Sequence, residues 1–136
     1  MHPIQQTSWI EKYVGLRFED KGRGPDSFDC WGLVRWIYMH ELKLVLPDYL
    51  DKYETVLDES GVESAVSAGR VSGWDRVDRP QNMDLVLFKI FGRPLHVGIV
   101  AGKDYFLHCP EDDFSRRERL SDRKWKNRIE GFYRKA

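Results

Sequence analysis

Cysteine is scarce in this chain. Two in 136 residues, Cys30 and Cys109, are too few for a disulfide framework. Net charge is missing as well, with 22 Lys plus Arg against 22 Asp plus Glu. Nucleic-acid binding rests on a positive excess, so that class of partner is not expected. No apolar run approaches the ~20 residues that a membrane-spanning helix needs. The opening residues, Met1-His2-Pro3-Ile4-Gln5-Gln6, lack a basic start followed by an apolar stretch, so no signal peptide is expected and synthesis in the cytoplasm is. There is no internal repeat and no low-complexity segment. The length favours one domain over residues 1–136, large enough to bury roughly two thirds of its unfolded surface. The basic run Arg116-Arg117-Glu118-Arg119 with Arg123, Lys124 and Lys126 follows the acidic Glu111, Asp112 and Asp113, which reads as a solvated face.

What the chain does have is a change of hydrophobic period part-way along. The first half reads as helical. Ser8-Trp9-Ile10-Glu11 fits a capping box and predicts a short helix from Ser8 to Gly15. Leu16-Arg17-Phe18 is extended, and Glu19 to Ser27 is a polar loop with Gly22, Gly24 and Pro25. A longer helix is expected from Asp29 to about Leu42, with Pro47 ending any continuation. Residues 46–59 read as loop, and Ser60-Gly61-Val62-Glu63 predicts a small helix to about Gly69. Ser72 to Asn82 reads as a polar connector. Beyond it the period becomes extended. Met83 to Ile90 is a nearly continuous apolar run, as in a buried strand, with Gly92 and Pro94 in the turn after it. Leu95 to Ala101 and Tyr105 to Cys109 are two more strands around Gly102-Lys103-Asp104. Residues 111–127 read as charged loop or edge, and Ile129 to Arg134 as a last strand. Helices followed by an antiparallel meander predict an α+β class.

One stretch organises the rest, Phe28-Asp29-Cys30-Trp31-Gly32-Leu33-Val34-Arg35-Trp36-Ile37-Tyr38. Asp29 is a good N-cap, since its carboxylate can accept the free N–H groups of the first turn. Cys30 then occupies the first helical position and heads the stripe continued by Leu33, Val34 and Ile37. A helix N-terminus can draw a thiol down from about 8.5 into roughly the 3.5–7.5 range, so a reactive thiolate is the expectation. The plain alternative is a small buried hydrophobe.

A nucleophilic cysteine needs a base, and the base needs an orienting partner. His2 lies in a terminus and His40 at a helix end, whereas His96 and His108 lie on adjacent strands. With a three-residue loop at Gly102-Lys103-Asp104, Gly98 pairs with His108, and His96 lies diagonal to His108 on one face. A two-residue loop would instead pair His96 with Cys109 and turn His108 to the other side. Zinc is the rival use of Cys30, His96, His108 and Cys109, but the spacing fits no metal-ligand pattern, and His108 and Cys109 point to opposite faces. No metal or cofactor is expected. A Cys30–Cys109 disulfide fails on the same facing argument.

The order Asp-Cys-x-Gly-Leu-Val at Asp29–Val34, then Asn82-Met83-Asp84-Leu85-Val86-Leu87-Phe88, then His96-Val97-Gly98-Ile99-Val100, then a strand ending in His108, resembles the NlpC family of cell-wall cysteine peptidases. The resemblance runs from Tyr13 to about Arg134. With Trp31 after the cysteine, it is similar to the branch found in bacteriophage tails and gene-transfer agents. It implies a papain-like core with the cysteine helix packed on an antiparallel sheet. It implies Cys30 as nucleophile, His96 as general base and acid, His108 as the residue orienting His96, and an oxyanion region near Phe18, Asp29 and Trp31. The implied substrate is the peptidoglycan stem peptide, cut between γ-D-glutamate and a diamino acid. The implied partners are tail-tip or baseplate proteins, with the chain carried in a virion or virion-like tail and acting in the host wall. Two positions depart from the pattern. Phe18 stands where many members carry a tyrosine, and Trp31 where bacterial members often carry serine. Two other roles are compatible with the fold: a structural or assembly subunit of a tail tip, and another thiol hydrolase such as an amidase or acyltransferase.

Overall fold

The computed structural model describes residues 9–46, 74–90, 93–111 and 113–136, with backbone only at residue 90 and residues 93–95. The small helix expected after Ser60 falls outside these residues, as do Ser8, Pro47 and Gly92.

The class is α+β, as expected. One helix, α1 (Cys30–Leu42), packs on a six-stranded sheet of β3 (Trp74–Val77), β4 (Leu85–Ile90), β5 (Arg93–Val100), β6 (Tyr105–His108), β7 (Arg116–Arg119) and β8 (Ile129–Lys135). The sheet order is β3-β8-β4-β5-β6-β7 and every neighbouring pair is antiparallel. A two-stranded parallel pair, β1 (Arg17–Phe18) with β2 (Ser27–Phe28), leads into the helix.

Asp29 caps α1 as its residue type requires. Its backbone is extended, and its carboxylate accepts the Gly32 N–H at 2.7 Å. The helix stops at Lys43, which takes the left-handed conformation, without reaching Pro47. Residues Cys30 to Val34 are all buried, so the first turn is enclosed on every side and only the later turns show one apolar face.

Alternation divides the strand residues between the two faces of the sheet. Leu85, Leu87, Val97, Ile99, Leu107 and Tyr133 join Leu33, Val34, Ile37 and Tyr38 in the core on the helix side. Val86, Phe88, Val100 and Phe106 pack on the opposite face, covered by Leu120 and Trp125.

Three expectations are corrected. The first helix is a single 3-10 turn, Ile10–Tyr13, with no side-chain cap. Burial of Trp9, Ile10 and Tyr13 holds it in place of a hydrogen-bonded α ladder. The polar connector contains an edge strand, β3. Its Asp75 and Arg76 break the apolar alternation while Trp74 packs on Tyr38, with ring centroids 5.7 Å apart. Pro94 lies inside β5 and not in the turn, opposite Lys89 and next to a register shift, before pairing with β6 begins.

Candidate active site

Cys30 is held from three sides. The loop before α1 wraps the start of the helix, and the Gly22 carbonyl accepts the Asp29 N–H at 3.2 Å. A Cβ on Gly32 would stand 1.8 Å from that carbonyl, so only glycine fits. Arg23 donates to the Gly22 carbonyl at 3.0 Å and to Asp29 Oδ1 at 2.8 Å, setting a guanidinium against the buried cap. On the sheet side the backbone N–H of Val97, the residue after His96, hydrogen-bonds the Cys30 sulfur.

The thiol does not follow the helix-dipole expectation. Burial pushes its pKa up to about 12, and the neighbouring Asp29 charge pushes the same way. The Val97 and Trp31 N–H groups and Arg23 oppose this without overcoming it. For a group only 4% exposed, the cost of desolvating a thiolate outweighs the helix N-terminus.

The histidines lie on the face opposite α1. The loop between β5 and β6 has the odd length, since Ala101 N–H donates to Tyr105 O and Val100 faces Phe106. Gly98 lies against His108, where an added Cβ would come 3.3 Å from the His108 Cβ. His96 and His108 therefore share a face, and His96 Nε2 meets His108 Nδ1 at 2.7 Å. His108 Nε2 meets Glu118 Oε2 at 2.6 Å. Both rings are held neutral. Burial is the main cause at each, pulling His96 well below the usual imidazole range and His108 below it as well, with Glu118 opposing the shift. The Glu118 carboxylate is held well below the usual range, first by its bond to His108 and then by those to Trp125 and Arg116.

Trp125 closes this face. Its indole stacks on His96 at 6.0 Å with an interplanar angle of 22° and stands edge-on to His108 at 5.1 Å. Its Nε1–H donates to Glu118 Oε1 at 3.0 Å. Arg116 Nε donates to Glu118 Oε2 at 3.1 Å and its Nη1 to Asp113 Oδ2 at 2.8 Å.

The remaining residues singled out in the sequence are placed as follows. Trp31 is buried in the cluster that holds Cys30, and Phe18 packs half-buried against that cluster. Cys109 is buried on the helix side, away from the histidines, with its thiol 3.5 Å from the Phe28 carbonyl. His40 is exposed, its Nδ1 on the Trp36 carbonyl. Among the described residues no group of three or more His, Cys, Asp and Glu is arranged to hold a metal ion. The sequence pattern offers Arg116 and Glu118 only as part of a solvated charged run, and it does not point to Trp125 or Arg23. The available signal was strand alternation: Glu118 pairs with Phe106, which puts it on the His108 face, while Arg117 and Arg119 lie over Tyr105.

A cysteine at the start of a helix and a histidine pair on the sheet beside it occur in one chain order here, and the sequence profile of the NlpC/P60 family matches residues 15–134. The chain belongs to the NlpC/P60 family. Among its relatives is the gamma-DL-glutamyl hydrolase of Bacillus subtilis, 26% identical over 138 residues. That match covers 97% of this chain and 29% of the relative. Protein P54 of Enterococcus faecium is 24% identical over 100 residues, which cover 74% of this chain and 16% of that protein. The chain thus spans less than a third of the curated relatives it matches. In structure it is similar to the NlpC/P60 domain of the peptidoglycan hydrolase SagA, with a TM-score of 0.66, 19% identity, and 98% and 99% of the two chains covered. An NlpC/P60 family protein from Bacillus cereus matches with a TM-score of 0.68 and 21% identity, over 92% of this chain and 37% of the other. At these identities the likeness establishes the papain-like fold of the family.

Proposed function

We propose that this NlpC/P60 chain is a thiol peptidase that cuts peptidoglycan stem peptides. The observation that carries the reading is the His96–His108 hydrogen bond beside a β5 backbone that meets the Cys30 sulfur. His96 commits Nε2 to His108, which leaves Nδ1 as its basic nitrogen. Nδ1 is the ring nitrogen nearer the main chain, and the Val97 N–H that reaches the thiol belongs to the next residue.

The chemistry follows from a neutral pair. His96 Nδ1 takes the Sγ proton as sulfur attacks the carbonyl carbon of the scissile amide. The carbonyl oxygen gains the negative charge beside backbone N–H groups at the start of α1. The imidazolium returns the proton to the leaving amine, and the C–N bond breaks to give a thioester. Water then attacks, losing its proton to His96, and the thiol is restored. Proton transfer coupled to attack suits a thiol raised to about 12, because no thiolate has to persist in the resting site.

Similarity to the gamma-DL-glutamyl hydrolase of Bacillus subtilis supports a γ-glutamyl bond as the one cut, and the family resemblance narrows this to the bond between γ-D-glutamate and a diamino acid. We place the domain in a bacteriophage or virion-like tail, docked on tail-tip or baseplate proteins and opening the host wall during DNA delivery. The support is the Asp29-Cys30-Trp31-Gly32-Leu33-Val34 block. The 4% exposure of Cys30 and its raised pKa favour a second reading, a structural tail subunit that keeps the fold without catalysis.

Digestion of purified sacculi, with the new termini identified by mass spectrometry, tests the proposal. New diamino-acid N-termini released by the parent and not by Cys30→Ser support the peptidase. Intact stem peptides with both proteins leave the structural reading.

A further inference from the structure

We propose that Glu118 is a positioning residue that fixes the tautomers of both histidines and so places the basic lone pair of the site on His96 Nδ1. The inference rests on the reading of His96 as the base toward Cys30.

An ionised carboxylate only accepts hydrogen bonds. Glu118 Oε2, 2.6 Å from His108 Nε2, therefore requires the proton of neutral His108 to sit on Nε2. His108 Nδ1 is then an acceptor. His96 Nε2, 2.7 Å away, must carry its own proton to satisfy it. The lone pair of neutral His96 is left on Nδ1. One carboxylate thus decides the protonation of a nitrogen two rings away, and the relay has one consistent direction.

The carboxylate is built in for this task. Three donors hold it: His108 Nε2 and Arg116 Nε on Oε2, and Trp125 Nε1 on Oε1. β7 pairs with β6 so that Phe106 faces Glu118, which puts the acid on the histidine face of an edge strand. Arg116 is itself steadied by Asp113. Trp125 touches all three members, stacking on His96, meeting His108 edge-on and donating to Glu118. A carboxylate that served only to solubilise the edge strand would not need an indole donor and two packed imidazoles. The other charged group that acts on both rings is Lys124, which disfavours their protonation along with Arg116 at His108.

Glu118→Gln is the informative change. The amide keeps the shape but offers one acceptor and one donor group. With its oxygen on Trp125 Nε1–H, and with Arg116 Nε losing its acceptor at Oε2 while Asp113 still holds the guanidinium, its NH2 faces His108 Nε2. That would move the His108 proton to Nδ1 and the His96 proton to Nδ1, blocking the base. The corresponding acid-to-amide change in a Ser-His-Asp triad costs roughly 10⁴ in turnover. One imidazole further from the nucleophile, we expect a loss on the order of 10² in kcat with KM little changed.

The test is ¹⁵N NMR of histidine-labelled full chain, parent and Glu118→Gln, together with stem-peptide kinetics. Parent spectra showing Nε2–H at both rings, a move of the His96 proton to Nδ1 in the variant, and a kcat loss without a KM change support the proposal. A parent with His108 protonated on Nδ1 overturns it, whether or not the variant folds. So does a variant with unchanged tautomers, or one whose tautomers switch while kcat holds. The spectra are read without substrate, so a parent that cleaves nothing would sink the peptidase reading while the tautomers still decide the role of Glu118.

Discussion

Acidification should destabilise this protein well before its carboxylates titrate, because two imidazoles are buried neutral on one face of the sheet. His96 is 8% and His108 1% exposed. Both have folded pKa values below the ordinary 6.5, with His96 well below it. A group whose folded pKa is depressed contributes stability that is fully present above its unfolded pKa and lost as the pH falls. A histidine that binds no proton when folded and titrates at 6.5 when unfolded costs about 1.4 kcal/mol at pH 5.5 and about 2 kcal/mol at pH 5.0. His108 has the smaller shift, since Glu118 draws a proton toward it, so the pair should cost about 2–4 kcal/mol between pH 7.5 and 5.0. That is a large share of the ~5–15 kcal/mol typical of a domain. Urea unfolding followed by tryptophan fluorescence at pH 7.5, 6.5, 5.5 and 5.0 measures it. His96→Gln, which can still donate to His108 Nδ1, should flatten the acid limb by about 2 kcal/mol. Stability that holds or rises from pH 7.5 to 5.0 would refute the reasoning, since it would mean that Glu118 keeps a folded imidazolium.

Three further expectations follow from the geometry around Cys30. Gly32→Ala places a Cβ 1.8 Å from the Gly22 carbonyl, and should cost about 3 kcal/mol or more by thermal or urea unfolding. Iodoacetamide should modify Cys30 more slowly than a free thiol at pH 7, with a rate still rising above pH 9, as a thiol raised to about 12 requires; a plateau below pH 8 would show a thiolate–imidazolium pair instead. Asp29→Asn keeps a capping oxygen for the Gly32 N–H while removing a charge that raises the thiol pKa. It should speed alkylation and, by removing the carboxylate that Arg23 meets in a buried ion pair, lower the melting temperature, whereas Asp29→Ala loses the cap as well and should cost about 3–5 kcal/mol.

The cap of α1 and the pairing of the two histidines were legible because two local rules carried them. Asp29 before an apolar helical stripe fixed the cap and the first turn, and the parity of Gly102-Lys103-Asp104 fixed which face His108 takes. What escaped depended on non-local terms. The thiol expectation failed because the start of a helix is legible in local sequence, whereas burial of Cys30 to 4% exposure is a property of the packed loop at Gly22 and of β5. Glu118 escaped because a run of alternating charges reads as solvated, and only pairing with β6 turns Arg116 and Glu118 inward while Arg117 and Arg119 lie over Tyr105. β3 escaped because an edge strand with two charged central residues has no apolar alternation to read. A capping pattern says where a helix begins and nothing of how far the ladder runs, so Ser8-Trp9-Ile10-Glu11 predicts a helix where the chain makes a single 3-10 turn at Ile10–Tyr13.

Attack of Cys30 on a stem-peptide amide, with His96 as its base, leaves a covalent trace. The most direct measurement is single-turnover hydrolysis of a defined L-alanyl-γ-D-glutamyl-diamino acid peptide, with mass spectrometry of the protein at short times. A thioester adduct on Cys30 and release of the diamino-acid fragment are expected, with neither in Cys30→Ser nor in His96→Ala. Fragment release that persists in Cys30→Ser, or a parent that forms no adduct and cuts no peptide, would contradict it.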